Sequence, residues 1–254
     1  MILRRLTEHL REQNWFAVFL DFFIVVIGVF IGIQVSNWNT ANAQREDEAV
    51  FLRLLEEDIR SSQELASRTL DMLHRQDDAR QRLHAFSVGK DPLIPPQEIP
   101  VLLSHGIWEM PTMEFNQTTF EALKSTGRLD VFIDDILVQE LTELQSDIAD
   151  IERRVEIELA TLLNVTDPIL LQHVDMTAML VEPSLSGRIA IDWLVNDEAP
   201  FEPPEFLKSM QFRNAILARA ASSKNRMQDM ERLGNRYQRI AVLIEQRQAE
   251  LNQR

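Results

Sequence analysis

Five histidines, a dense set of carboxylates and no cysteine define the chemistry open to this chain of 254 residues. Without cysteine there is no disulfide framework, no thiolate zinc site and no cysteine nucleophile. The nearest approach to a metal-ligand pair is Asp71-x-x-His74. Carboxylate-bridged metal sites in helical bundles use Glu-x-x-His on two helices, so this pair has the wrong acid and no twin. His74 and His84 lie nearly three helical turns apart, too far to share an ion, and read as surface residues. His105 and His173 have no sequence-local partner. Glu56-Glu57-Asp58 reads as a solvated face. His-Glu-x-x-His, the nucleophile elbow Gly-x-Ser-x-Gly, the phosphate-cradling loop and the dinucleotide fingerprint are all absent from the sequence. No catalytic, cofactor or metal residue is assigned, and the expectation is a protein that is not an enzyme.

Residues with a physical role other than catalysis cluster near the start. Residues 16–35 read FAVFLDFFIVVIGVFIGIQV, with Asp21 the one charge. Twenty residues at about 1.5 Å rise cover roughly 30 Å, the hydrocarbon thickness of a bilayer. Trp15 and Trp38 bracket the run, and indole rings favour the membrane interface. Arg4, Arg5 and Arg11 precede it in an amphipathic stretch, whereas no basic residue follows until Arg45. The basic flank stays inside, so the N-terminus is expected in the cytoplasm and the main domain outside a bacterial inner membrane. The expected divisions are a cytoplasmic N-terminus at 1–15, a transmembrane helix at 16–38 and an extracytoplasmic domain at 39–254. A cleaved signal peptide is the rival reading, since Ala41-Asn42-Ala43 has the small-x-small shape of a cleavage site. Its apolar run is longer than such peptides need.

Within the span, Gly28 and Gly32 form a G-x-x-x-G that lets a second helix approach closely. Asp21 lies about 7–8 Å below the interface by helical rise and must snorkel, be protonated or meet a donor. Gln34 could hydrogen-bond across an oligomer interface. These four residues are the expected contacts of the membrane helix.

The run from Ile24 to Asn39, VVIGVFIGIQVSNWN at its centre, resembles the membrane segment of a family of bacterial single-span membrane proteins of unknown function. That family follows the segment with an acidic helix, here 46–58. It also carries Thr-x-x-x-Leu-x-x-x-Gly-x-Leu, matched by Thr119, Leu123, Gly127 and Leu129. Its usual Gly-Glu pair before the apolar run is Leu20-Asp21 here, so the acid type is kept and the glycine is not. The resemblance implies topology and no activity.

The formal net charge is -14 and is unevenly spread. Residues 205–254 hold ten Lys or Arg against five acids, while 1–43 are balanced, which leaves the deficit in 44–204. So acidic a chain repels nucleic-acid backbones. Either the basic last helix packs on acidic earlier helices, or it offers a basic face to lipid or protein.

The elements beyond the span read as helices. Residues 44–89 carry a stripe of Phe51, Leu55, Ile59, Leu65, Leu73, Leu83 and Phe86, with Gly89 as the stop. Nothing interrupts the helix between Ile33 and Val88. A short helix is expected at 97–104. Thr118-x-x-Glu121 suggests a capping box and Gly127 a helix stop. Residues 136–163 place Leu137, Leu141, Leu144, Ile148, Ile151, Val155, Leu159 and Leu162 in a coiled-coil-like stripe with one slip. Short helices are expected at 169–179 and 189–195. The last helix, at 205–252, shows Phe206, Met210, Leu217, Met227, Tyr237, Ile240, Ile244 and Leu251. Trp108, Met110, Met113 and Phe115 sit in a non-periodic segment, either capping the core or forming a partner patch.

The expected fold is all-α: one N-terminal transmembrane helix, then an elongated antiparallel helical bundle with three long helices. The expected function is that of a membrane-anchored interaction or accessory protein. It would bind a protein partner or itself, in contact with the lipid bilayer, with no cofactor and no nucleic acid. The alternative is a ligand-sensing bundle that signals through a partner.

Overall fold

The computed structural model describes residues 15–90, 94–110, 113–132, 134–175 and 202–253. Arg4, Arg5, Arg11, the Trp15 side chain and the helix expected at 189–195 lie outside the described residues. All described regular structure is helical, as expected, and it includes the three long helices. These are α1 (Trp15–Ser87), α4 (Asp135–Thr161) and α6 (Met210–Asn252). Shorter helices are α2 (Ile99–Leu103), α3 (Thr118–Ser125) and α5 (Asp167–Leu171). Contacts divide the chain into two units, 1–51 and 52–254.

In the first unit the described residues 19–40 are exposed without exception, including Asp21, Gly28, Gly32, Gln34 and Trp38. Mean hydropathy reaches 2.3 over eighteen of them. Among the described residues this is the one helix long and apolar enough to cross a membrane.

The second unit is built on a seven-residue register. In α1, Leu52, Leu55, Ile59, Ser62, Ala66, Thr69, Leu73, Gln76, Arg80, Leu83 and Ser87 are buried at alternating steps of three and four. In α6 the same steps run through Phe212, Ile216, Arg219, Ser223, Arg226, Met230, Leu233, Tyr237, Ile240 and Ile244. Such spacing keeps one seam facing its partners along the whole length. Leu65 is only half-buried, and Met210 and Leu217 are exposed at 69% and 68%, so the expected stripes drift off the seam there.

Cross-helix pairs fix the directions. Along α4 from Glu140 through Asp147 to Glu158, the α6 partners fall from Arg239 through Arg236 to Arg226 and Arg219. Along α1 from Glu56 through Gln63 to Ser87, they fall from Gln248 through Gln238 to Arg213. Helix α6 is thus antiparallel to both neighbours, and α1 and α4 run parallel to one another. The parallel pair requires the connection 88–134 to return along the bundle. Its short helices do so.

Turn chemistry explains that return. Gly89 closes α1 at φ +71°, with the Lys90 amide donating to the Ala85 carbonyl at 2.9 Å. Gly127 closes α3 at φ +70° in the same way. Both positions are in the left-handed region that favours glycine. The start of α3 differs from the expected capping box. Its cap comes from Asn116 and, across the sequence, from Asp58 on α1. The Thr119 amide donates to Asp58 Oδ2 at 2.8 Å, the Asn116 side-chain amide donates to Oδ1 at 2.7 Å, and the Thr118 amide donates to Asn116 Oδ1 at 3.1 Å. Asp58 is therefore buried and committed, not part of a solvated acidic face. Asp134 caps α4 by accepting from the Ile136 amide at 2.9 Å, and Ser209 caps α6 by accepting from Phe212.

Asp58→Ala removes a cap and leaves the buried Thr119 amide and the partly exposed Asn116 side-chain amide without their acceptor. It should cost about 2 kcal/mol in urea unfolding of the protein, within the range of cap and buried hydrogen-bond losses. A loss below about 0.5 kcal/mol would show that α3 does not depend on the anchor.

Candidate functional site

Two apolar regions of the bundle are separated by a polar layer. On one side lie Leu83, Ile99, Leu103, Ile107, Leu170, Phe212 and Ile216. On the other lie Leu137, Leu141, Leu144, Ile148 and Ile151 of α4, with Met230, Leu233 and Tyr237 of α6. Between them the seam carries Gln76 and Arg80 from α1, Glu158 from α4, and Arg219, Ser223 and Arg226 from α6.

Glu158 stands where the register of α4 calls for an apolar side chain. Counting from Ile151 by the same steps gives 155, 158 and 162. Val155 is half-buried, Glu158 is 8% exposed and Leu162 is buried, whereas Leu159 is 42% exposed. The expected slip at Leu159 is thus absent, and the seven-residue register continues through a carboxylate. Both oxygens of that carboxylate are engaged: Arg219 Nη1 donates to Oε1 and Arg226 Nη2 to Oε2. Arg219 and Arg226 are seven residues apart on α6, so they flank the acid from one face.

The arginines also hold the chain at 104–110. Residues Ser104–Trp108 form a wide turn closed by the Glu109 amide donating to the Ser104 carbonyl at 2.9 Å. Arg80 Nε donates to the Gly106 carbonyl at 2.7 Å and Arg219 Nε to the Ile107 carbonyl at 2.9 Å. Gln76 links Arg80 to the end of this stretch, donating to the Glu109 carbonyl at 3.0 Å and accepting from Arg80 Nη2 at 3.0 Å. A Cβ on Gly106 would come within 3.2 Å of Leu83 and 3.4 Å of Arg80, so glycine permits this close approach. Met110 Sδ faces both Arg219 and Arg226, at 3.3 and 3.7 Å.

Burial, reinforced by the positive charge of Arg219, lowers the pKa of Arg80 to about 10. Burial also lowers that of Arg219, opposed by Glu158. Asp167, at the start of α5, accepts from the Trp108 indole, and burial raises its pKa. Four atoms in the layer have no hydrogen-bond partner among the described residues: Arg80 Nη1, Arg226 Nε, Arg226 Nη1 and Ser223 Oγ. A groove of about 190 Å³ between α4 and α6 reaches Glu158 and Arg226.

The remaining charges of α6 answer the question its basic composition raised. Arg236, mostly buried, meets Glu140, Glu143 and Asp147 at 3.0, 2.7 and 2.9 Å. Arg154 of α4 meets Asp229 at 2.9 Å. Basic α6 pairs with acidic α4 inside the bundle.

Of the two readings of Trp108, Met110, Met113 and Phe115, a core cap or a partner patch, burial favours the first. Met113 and Phe115 are buried, and Trp108 and Met110 are half-buried in the wall of the arginine layer. Phe115 packs on Tyr237 with ring centroids 6.2 Å apart. They belong to the core. His105 does have a local partner, the Glu109 carboxylate at 2.8 Å, and His173 stacks on Phe206 at 4.3 Å. His74 and His84 are exposed. Among the described residues no three His, Asp or Glu side chains converge as a metal site would need.

These features define a class: an all-α chain with one exposed apolar helix and a helical bundle crossed by a buried charged layer. No family model, no curated protein and no solved structure matches the chain.

Glu158→Gln leaves two buried guanidinium groups without their counter-charge. It should destabilise the bundle by about 3–5 kcal/mol in chemical unfolding, as breaking other buried pairs does. Asp167 gives a test of sign. Its folded pKa is raised, so the folded state binds the extra proton and the charged form weighs against folding above that pKa. Asp167→Asn should therefore raise the melting temperature at neutral pH. The gain should shrink as pH falls through the carboxyl's folded pKa toward its unfolded one.

Proposed function

We propose that this protein is a non-enzymatic accessory protein, anchored in a bacterial cytoplasmic membrane by residues 16–38, whose bundle binds a protein partner or a second copy of itself. The observation that carries the anchoring is the complete exposure of residues 19–40 in a helix of mean hydropathy 2.3. Side chains such as Phe19, Phe22, Phe23 and Phe30, all more than half exposed, are stable only against lipid or another apolar surface. The likeness of residues 24–39 to a family of bacterial single-span proteins supports the same topology. In this reading Arg4, Arg5 and Arg11 stay on the cytoplasmic side, and residues 39–254 lie outside. Gly28 and Gly32 have open space where a Cβ would stand, which leaves that face free for a second helix. Asp21 and Gln34 supply the polar groups that a helix partner in lipid would use.

A second reading is favoured by one observation. The unpartnered donors of the arginine layer suit a bundle that binds a ligand and passes the change to a partner.

Topology is tested with single cysteines in the otherwise cysteine-free chain. Ser61→Cys should react with an impermeant thiol reagent applied outside intact cells, and Thr7→Cys should not. The reverse pattern inverts the proposed orientation. In-membrane cross-linking followed by mass spectrometry tests the partner. Cross-linked species weakened by Gly28→Ile and Gly32→Ile would support association through the span. Monomer as the sole species would count against it.

A further inference from the structure

We propose that Asp21 is the docking point for a basic side chain, lysine or arginine, on a membrane helix of a different protein. The inference rests on the anchored, partner-binding reading above and decides between its two partners, against a second copy.

The argument starts from what this chain offers Asp21. Side chains on one helix face meet at spacings of three and four. From Asp21 those positions are Ala17, Val18, Ile24 and Val25, whose side chains have no polar group. The basic residues nearest in the sequence are Arg11 and Arg45, at neither spacing. Asp21 is exposed in α1, and among the described residues nothing pairs with it.

Reach excludes the simplest escape. Lysine and arginine carry their charge to the interface on long stems. Aspartate has a single methylene and starts about 7–8 Å below the interface by helical rise, so its carboxyl stays within the hydrocarbon. A carboxylate there is costly and is met by an opposite charge or a donor from a neighbouring helix. Attraction between unlike charges grows as the dielectric falls, so a cation is the group that offsets the cost best. Ammonium groups of lipids lie at the interface, above the carboxyl.

The helix face around Asp21 has room for such a neighbour. Asp21, Val25, Gly28 and Gly32 follow at steps of four, three and four, which keeps them on one side. A Cβ on either glycine would meet nothing within 4 Å, so a helix laid along this side can come close and present a basic residue to Asp21. A second copy is the wrong occupant. Two copies share one orientation in the membrane, and packing on this side would set two Asp21 carboxylates at the same depth. Like charges in lipid repel strongly. Charge complementarity therefore selects a different protein.

The test places full-length protein, labelled through Asn39→Cys, in phosphatidylcholine vesicles with synthetic membrane helices of leucine and alanine. These helices carry one lysine about 7–8 Å below an interface, one lysine at mid-span, or none. Energy transfer from protein to helix reads association, and transfer between two labelled copies reads self-association. The first helix should associate at least about tenfold more strongly than the other two. Asp21→Asn should abolish that preference and Asp21→Glu should keep it. Equal association of the three helices overturns the docking point, as does a preference that survives Asp21→Asn. Self-association that Asp21→Asn weakens makes a second copy the occupant and overturns it too. Cross-linking in cell membranes separates this proposal from the reading beneath it. A cross-linked protein lost in Asp21→Asn and kept in Asp21→Glu upholds both. One that persists in Asp21→Asn upholds the accessory reading and removes the docking point, whereas absence of any cross-linked species removes the reading itself.

Discussion

Glu158 enters the bundle at a position where the register of its helix demands an apolar group, and its surroundings follow from that choice. A carboxylate in this place needs two well-directed donors, because its desolvation is repaid only by good geometry. Arg219 and Arg226 provide them, at the spacing that puts both on the α6 seam. Those arginines, once buried, have further N–H groups to satisfy. The carbonyls of Ile107 and Glu109 accept from Arg219, and Gly106 from Arg80. The wide turn at Ser104–Trp108 is thereby tied to α1 and α6 together. Register follows as well. Sliding α6 by seven residues would set Leu233 in place of Arg226, or Phe212 in place of Arg219, and leave the acid one donor short. Apolar seams alone tolerate such slips, and a buried charge does not.

A second anchor works on the same principle some distance away. Asp58 ties the start of α3 to α1 with three partners converging on one carboxylate and its neighbour Asn116, whose own amide donates to Ser62 at 2.9 Å. The returning connection thus meets α1 at two polar points, Asp58 and the Gln76–Arg80 turn. Between them Met113 and Phe115 pack inward. Polar groups position the connection and apolar groups seal it. Arg236, which meets Glu140, Glu143 and Asp147, and Arg154, which meets Asp229, tie α4 to α6 beside these anchors.

The helical class, the three long elements and the glycine stops at 89 and 127 were all readable from residue type and spacing. The basic composition of α6 left internal pairing and an outward basic face both open, and its ion pairs with α4 favour the first. The arginine layer was not read, for a physical reason. Stripe reading assigns the seam to apolar residues, so at 158 it steps to Leu159 and at 219 to Leu217. The signal was present: an acid on the unbroken register of α4, and two arginines seven apart in α6. The capping role of Asp58 had no local signature, because its partners lie about sixty residues along the chain. Trp108, Met110, Met113 and Phe115 left two readings open, and burial decides between them.

The parallel pairing of α1 with α4 bears on how the chain comes to be folded at all. Helices α4 and α6 lie closer together in sequence, but the seam of α1 waits for α6, which starts more than a hundred residues after α1 ends. At roughly 5–20 residues per second, α1 stands complete for about 6–24 seconds before its partner begins to emerge. During that interval the α6 side of the seam is missing for Leu52, Leu55 and Leu73. Polar seam residues such as Ser62, Thr69 and Gln76 interrupt that stripe at regular intervals. They make the nascent helix less adhesive, so what specifies the finished bundle also protects the unfinished one.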